Sequence, residues 1–251
     1  MQGIGFAALG TLFTFGMTAL GAALVFFLRR GRAQRAQRAC CGFAAGVMMA
    51  AAVFSLLLPA VDRVRAAGGS AWLTAAGGFL AGAGVILLAD EGIGRKLRGT
   101  DEALRRQSLM MAAVTLHNIP EGMAVGLAFA GITAHCGAEF AAAAALALGV
   151  GLQNIPEGAA ISLPLRKGGM SRMRSFLWGA ASGAVEPLFG VMAAGMAAAA
   201  TPVLPLLMAF SAGAMMLVVV KEMIPEAEGR DGALYVMLGY ALMMALDIGL
   251  S

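Results

Sequence analysis

Long apolar runs set apart by short basic clusters limit what this chain can become more than any other feature of it. A helix that crosses a bilayer needs about 20 mostly apolar residues. Eight segments meet that length: 5–28, 39–60, 71–90, 108–130, 138–165, 175–199, 203–225 and 232–250. No apolar/polar alternation competes for a strand reading. The expected fold is all-α and integral to a membrane, with one transmembrane domain over residues 1–251. Charged residues make up only 13% of the chain, about half the share in a soluble domain. The abundant Gly and Ala let helices pack closely in lipid.

The basic residues set the orientation. Arg29, Arg30, Arg32, Arg35 and Arg38 lie between the first two segments, and Arg95, Lys96, Arg98, Arg105 and Arg106 between the third and fourth. Arg166, Lys167, Arg172 and Arg174 follow the fifth, and Arg230 the seventh. With eight crossings all of these fall on one side, and only Arg63 and Arg65 fall on the other. The positive-inside rule places the first set in the cytoplasm and both termini outside. No basic run is interleaved with aromatics, so a nucleic-acid partner is not expected; the partners are the bilayer and small ions. The first segment lacks a basic lead and exceeds a signal-peptide core, so it reads as a retained helix.

Cys40, Cys41 and Cys136 form no even framework and read as small apolar fillers. The 18 methionines are spread along most segments and read as core filler, not as a copper relay. His135 and Cys136 fall in an outward loop, read as plain loop, with weak metal capture as the alternative.

Two internal repeats stand out. Leu116-His117-Asn118-Ile119-Pro120-Glu121-Gly122 recurs as Leu152-Gln153-Asn154-Ile155-Pro156-Glu157-Gly158. Ala45-Gly46-Val47-Met48-Met49 with Pro59-Ala60 resembles Ala212-Gly213-Ala214-Met215-Met216 with Pro225-Glu226-Ala227, given a one-residue gap. The second match relates segment 2, running outward, to segment 7, running inward: an inverted repeat of segments 1–3 and 6–8 around 4 and 5.

Ionisable groups at mid-membrane depth cost on the order of 2.5–3.5 kcal/mol each. His117, Glu121, Glu157, Glu186, Lys221, Glu222 and Asp247 all fall inside apolar segments. Asp90, at the edge of its segment, can snorkel; Glu121 and Glu157 are too far from their helix ends. His117 and Glu121 are four apart and Asn118 and Glu121 three apart, so each pair shares a helix face. Gln153, Asn154 and Glu157 repeat this geometry. Pro120 and Pro156 remove a backbone donor and free the carbonyls of Leu116 and Leu152. Such irregular backbone is tolerated in a membrane where it lines a cavity. The glycine after each glutamate lets a facing helix come close. Two carboxylates so placed repel unless a cation bridges them. The mixed nitrogen and oxygen donors suit zinc, iron(II), manganese or cadmium and lack the thiolates copper(I) favours. Glu186, before Pro187, reads as a third carboxylate, or as a partner of Lys221 or of a backbone amide. Glu222 and Asp247 read as pathway groups, or as ion-pair partners of Lys221.

The two Pro-Glu-Gly motifs in consecutive helices resemble the ZIP family of zinc/iron-regulated transporters. Lys-Glu-Met-Ile-Pro-Glu at 221–226 is most similar to its bacterial GufA-like branch. The resemblance implies eight helices with inverted repeats, a binuclear mid-membrane site, a homodimer in the inner membrane, and movement of zinc and related ions towards the cytoplasm. It implies a main site of His117, Glu121, Gln153 and Glu157. It implies a second site of Asn118 and Glu186 with the shared glutamates, Asn154 standing where members often have a stronger ligand. Glu222 and Asp247 match positions near the inner exit, and Ser55 one on the intake side. Gln153 stands where many members have histidine, and no histidine-rich stretch occurs between segments 3 and 4.

The reading is a divalent-metal transporter with no catalytic cofactor, the metal being its cargo. Its rivals are a metal-selective channel of the same architecture and an intramembrane di-metal enzyme. The latter usually relies on Glu-x-x-His pairs, which the chain lacks.

Overall fold

Apolar sequence makes helices here, and proline decides where they bend. The computed structural model describes residues 2–27, 33–96, 102–130, 132 and 137–250. Helix α1 is Gln2–Phe26, its last turn tightened to 3₁₀ over Ala23–Phe26. Helix α2 covers residues 33–66: Ala33–Ala51, a π turn Ala52–Leu57, then Leu58–Ala66. Helix α3 is Ala71–Lys96, α4 Glu102–Ala130 and α5 Ala138–Lys167. Helix α6, Arg172–Gly195, is broken at Ala184. Helix α7 covers 197–226, with a π turn at Val219–Met223, and α8 is Arg230–Leu250. No strand occurs among the described residues.

Six helices among the described residues are long and apolar enough to cross a membrane: Gln2–Phe26, Arg38–Ala66, Ala71–Gly92, Arg172–Gly195, Ala197–Met223 and Asp231–Gly249. Helices α4 and α5 are longer, at 29 and 30 residues, about 45 Å each at 1.5 Å per residue. They carry the polar motifs and sit in the middle. Helix α1 lies along α5 and α6 along α4, while α2 and α7 close the remaining sides. The outer pairs are α2 with α8 and α3 with α7. Large apolar side chains such as Leu9, Phe27, Trp72, Leu80, Leu88, Met237 and Ile248 face outward, as lipid contact requires. Met48, Met208, Met215, Met223 and Met243 are buried in the core, so the filler reading of these methionines holds.

Small residues bring the outer pairs together. A Cβ on Gly46 would collide with the Val236 carbonyl and one on Gly239 with that of Phe43. In the other pair, Gly213 meets the Phe79 carbonyl and Gly82 that of Phe210.

Two boundaries differ from expectation. The connection expected between 199 and 203 is helical; α6 stops at Gly195 and α7 starts at Ala197. Pro202 and Pro205 lie inside α7, in its second and third turns. The π turns before Pro59 and Pro225 have no counterpart in the apolar pattern.

Candidate metal centre

Pro120 and Pro156 lie inside α4 and α5 without ending them. The carbonyl of Leu116, freed by Pro120, accepts a hydrogen bond from Ser211 Oγ of α7 at 3.3 Å. The motif glycines make the close approaches expected of them. A Cβ on Gly122 would lie 2.5 Å from the Glu186 carbonyl oxygen, so α4 rests on the backbone of α6. A Cβ on Gly158 would collide with the Thr18 carbonyl, so α5 rests on α1. Neither helix can take a larger residue there without moving away from its partner.

These contacts bring the motif side chains to one point. His117 Nε2 lies 3.2 Å from Glu121 Oε1 and 3.2 Å from Glu157 Oε1. One ligand atom from each of the three lies within 4.8 Å of the others. All three are buried, and Gln153 beside them donates to Glu121 through Nε2. His117 Nδ1, Glu121 Oε2, Glu157 Oε2, Asn118 Oδ1 and Asn154 Oδ1 are buried and have no hydrogen-bond partner. Buried polar atoms are nearly always satisfied, so such orphans gathered in one motif pair point to a ligand. Two carboxylates and an imidazole within reach of one point suit a divalent cation of the zinc, iron or manganese kind.

A family model described as ZIP zinc transporter matches residues 98–247. The human zinc transporter ZIP11 is 37% identical, the match covering 97% of each chain. Zinc transporter ZIPB of Bordetella bronchiseptica is 38% identical over 98% of this chain and 82% of its own. Zinc transporter GufA of Myxococcus xanthus is 37% identical over 78% of this chain and 80% of its own. The chain belongs to the ZIP zinc transporter family. It is a multi-pass membrane protein with an all-helical fold.

The other residues singled out in this ZIP chain are distributed around that centre. Asn118 Nδ2 donates to the Ser182 carbonyl at 3.0 Å, just before the break in α6. Asn154 Nδ2 donates to both oxygens of Glu186, at 3.0 and 2.9 Å, and to the Thr14 carbonyl at 3.1 Å. Thr18 Oγ1 lies 3.3 Å from Glu186 Oε1. The alternative reading of Glu186, as a partner of Lys221 or a backbone amide, did not name these side-chain donors.

The resemblance matched Asp247 to the inner exit beside Glu222 and Ser55 to the intake side; Asp247 accepts from Ser55 Oγ at 2.8 Å, and Ser55 is also 3.4 Å from Gln153 Oε1. Asp247, Ser55, Pro59 and Glu121 line one cavity of about 320 Å³. Helix α8 packs along α2, so Asp247 near its C-terminus meets the π turn that carries Ser55. Glu222 is buried in the second π turn. Lys221 forms its ion pair with Asp90 of α3. Asp90 therefore does more than snorkel: it is an ion-pair partner of Lys221 that the sequence reading did not name. His135 and Cys136 lie outside the described residues.

Thr14, Thr18 and Ser182 were not singled out in the sequence. The signal was there for α1: Thr11, Thr14 and Thr18 recur at helical spacing on one face of an apolar helix, and all three are buried. They read as ordinary small polar residues until the facing Asn154 and Glu186 are known.

Proposed function

We propose that this protein carries divalent metal ions across the membrane, zinc first and iron(II), manganese or cadmium as related cargo. The observation that carries this is the buried His117, Glu121 and Glu157 cluster, with mutually reachable ligand atoms and unpartnered oxygens on both glutamates. Names of the relatives agree, each being called a zinc transporter. In this reading His117, Glu121, Gln153 and Glu157 hold the ion. Gln153 ligates through Oε1 once its amide turns over.

An ion arrives from the cavity beside Ser55 and Asp247, sheds water into the cluster, and leaves past Glu222. Eight crossings are inferred by adding α4 and α5 to the six apolar helices. Their polar residues face one another, so length and not hydropathy carries that inference. The inverted repeat has the support of matching detail: a π turn two residues before Pro59 and another two before Pro225, and two helix pairs with reciprocal glycine contacts. The arginine clusters support an orientation with both termini outside, and the bacterial relatives support placement in an inner membrane. Flow towards the cytoplasm would then be assisted by the membrane potential, by about 2.3 kcal/mol per charge per 100 mV. A homodimer, implied by resemblance, is compatible with the outward face of α3, where Gly77 and Gly84 have nothing within 4 Å of an added Cβ. No step of this account is enzymatic.

The test is zinc uptake into proteoliposomes loaded with a zinc-sensitive dye. The parent should fill the vesicles, and Glu121→Ala with Glu157→Ala should fall to the rate of protein-free vesicles. Equal rates for parent and double variant would remove the site.

A further inference from the structure

The three motif-region carboxylates are satisfied unequally. Glu121 and Glu157 each keep one buried oxygen with no hydrogen-bond partner. Glu186 keeps none: Asn154 Nδ2 reaches both of its oxygens, at 3.0 and 2.9 Å, and Thr18 Oγ1 reaches Oε1 at 3.3 Å. The direction of the Asn154 amide is fixed by its third contact, the Thr14 carbonyl at 3.1 Å. Only the nitrogen end can face a carbonyl and a carboxylate together. Glu186 also stands outside the set whose ligand atoms lie within 4.8 Å of one another.

A carboxylate that serves as a metal ligand needs lone pairs aimed at the ion. Both oxygens of Glu186 already accept hydrogen bonds, from Asn154 of α5 and, at Oε1, from Thr18 of α1. We propose that Asn154 and Glu186 form a hydrogen-bonded lock joining α1, α5 and α6, so that the centre takes a single divalent ion and Glu186 positions helices without ligating. The amide does there what a second cation would otherwise do, supplying positive edges to a buried carboxylate. An aspartate at 154 would remove those donors and set two like charges face to face, a pair that a cation relieves. One side-chain atom thus decides whether a second ion is needed. The inference rests on the transport-site reading above.

Zinc per chain, measured by plasma mass spectrometry on full-length detergent-purified protein after zinc loading and desalting, tests it. The parent should retain about one zinc, and Glu186→Gln should still retain about one. Asn154→Asp should rise to about two, and Asn154→Asp with Glu186→Gln should return to about one, as expected if like-charge relief drives the second ion. A parent with two zinc ions, one of them lost in Glu186→Gln, would overturn the lock and make Glu186 a ligand. An Asn154→Asp protein that melts like the parent but stays at one zinc would also overturn it. A folded parent that binds no zinc would instead remove the transport site itself, and this inference with it.

Discussion

The two copies of the Pro-Glu-Gly motif share a backbone design and differ in what each side chain does. In α4 the asparagine ties to backbone, the Ser182 carbonyl, and the freed Leu116 carbonyl is satisfied by Ser211. In α5 the equivalent asparagine ties to backbone, the Thr14 carbonyl, and to a carboxylate as well, Glu186. The α4 copy offers an imidazole where the α5 copy offers an amide. The glycine of the first rests on α6 and that of the second on α1. A repeated heptapeptide thus yields one shared pair of carboxylates and two unequal surroundings, and the partners decide the role, not the motif alone.

Altering the ligands should break the comparison most sharply. His117→Ala should weaken zinc binding by about 100-fold, because the imidazole is the strongest donor in the set, and Gln153→Ala by about tenfold. Isothermal titration in detergent reads both. Making the copies alike sharpens it: Gln153→His should tighten zinc by about tenfold, since imidazole suits zinc better than an amide oxygen. Glycine replacement tests the backbone contacts next. Gly122→Ala and Gly158→Ala should each cost about 1–3 kcal/mol through overpacking, seen as a lower melting temperature. Gly158→Ala should cost more, because its Cβ meets the carbonyl more closely. Ser211→Ala should have the smallest effect, about 0.6 kcal/mol, the typical worth of one hydrogen bond between membrane helices.

Much of the fold was legible because lipid imposes a simple demand: about 20 apolar residues per crossing. The central pair was legible because burying Glu121 and Glu157 has no bland explanation. What the sequence did not disclose depends on which helices touch. The Ser55–Asp247 bond joins residues 192 positions apart, and nothing local to either residue announces it. The Lys221–Asp90 pair hides for the same reason: Asp90 looks like a snorkelling helix-end charge until α3 is known to lie along α7. Helical spacing marked one face of α1 with threonines, but their importance comes from Glu186 facing them.

The central claim is that His117, Glu121 and Glu157 surround one divalent ion with nitrogen and oxygen. Zinc-edge X-ray absorption on the zinc-loaded, full-length protein measures this directly. The account predicts a nitrogen/oxygen shell at about 2.0–2.1 Å with the outer scattering of an imidazole, lost in Glu121→Ala with Glu157→Ala. A sulfur shell at about 2.3 Å, pointing to Cys40 and Cys41 on α2, or a spectrum unchanged in the double variant, would contradict it.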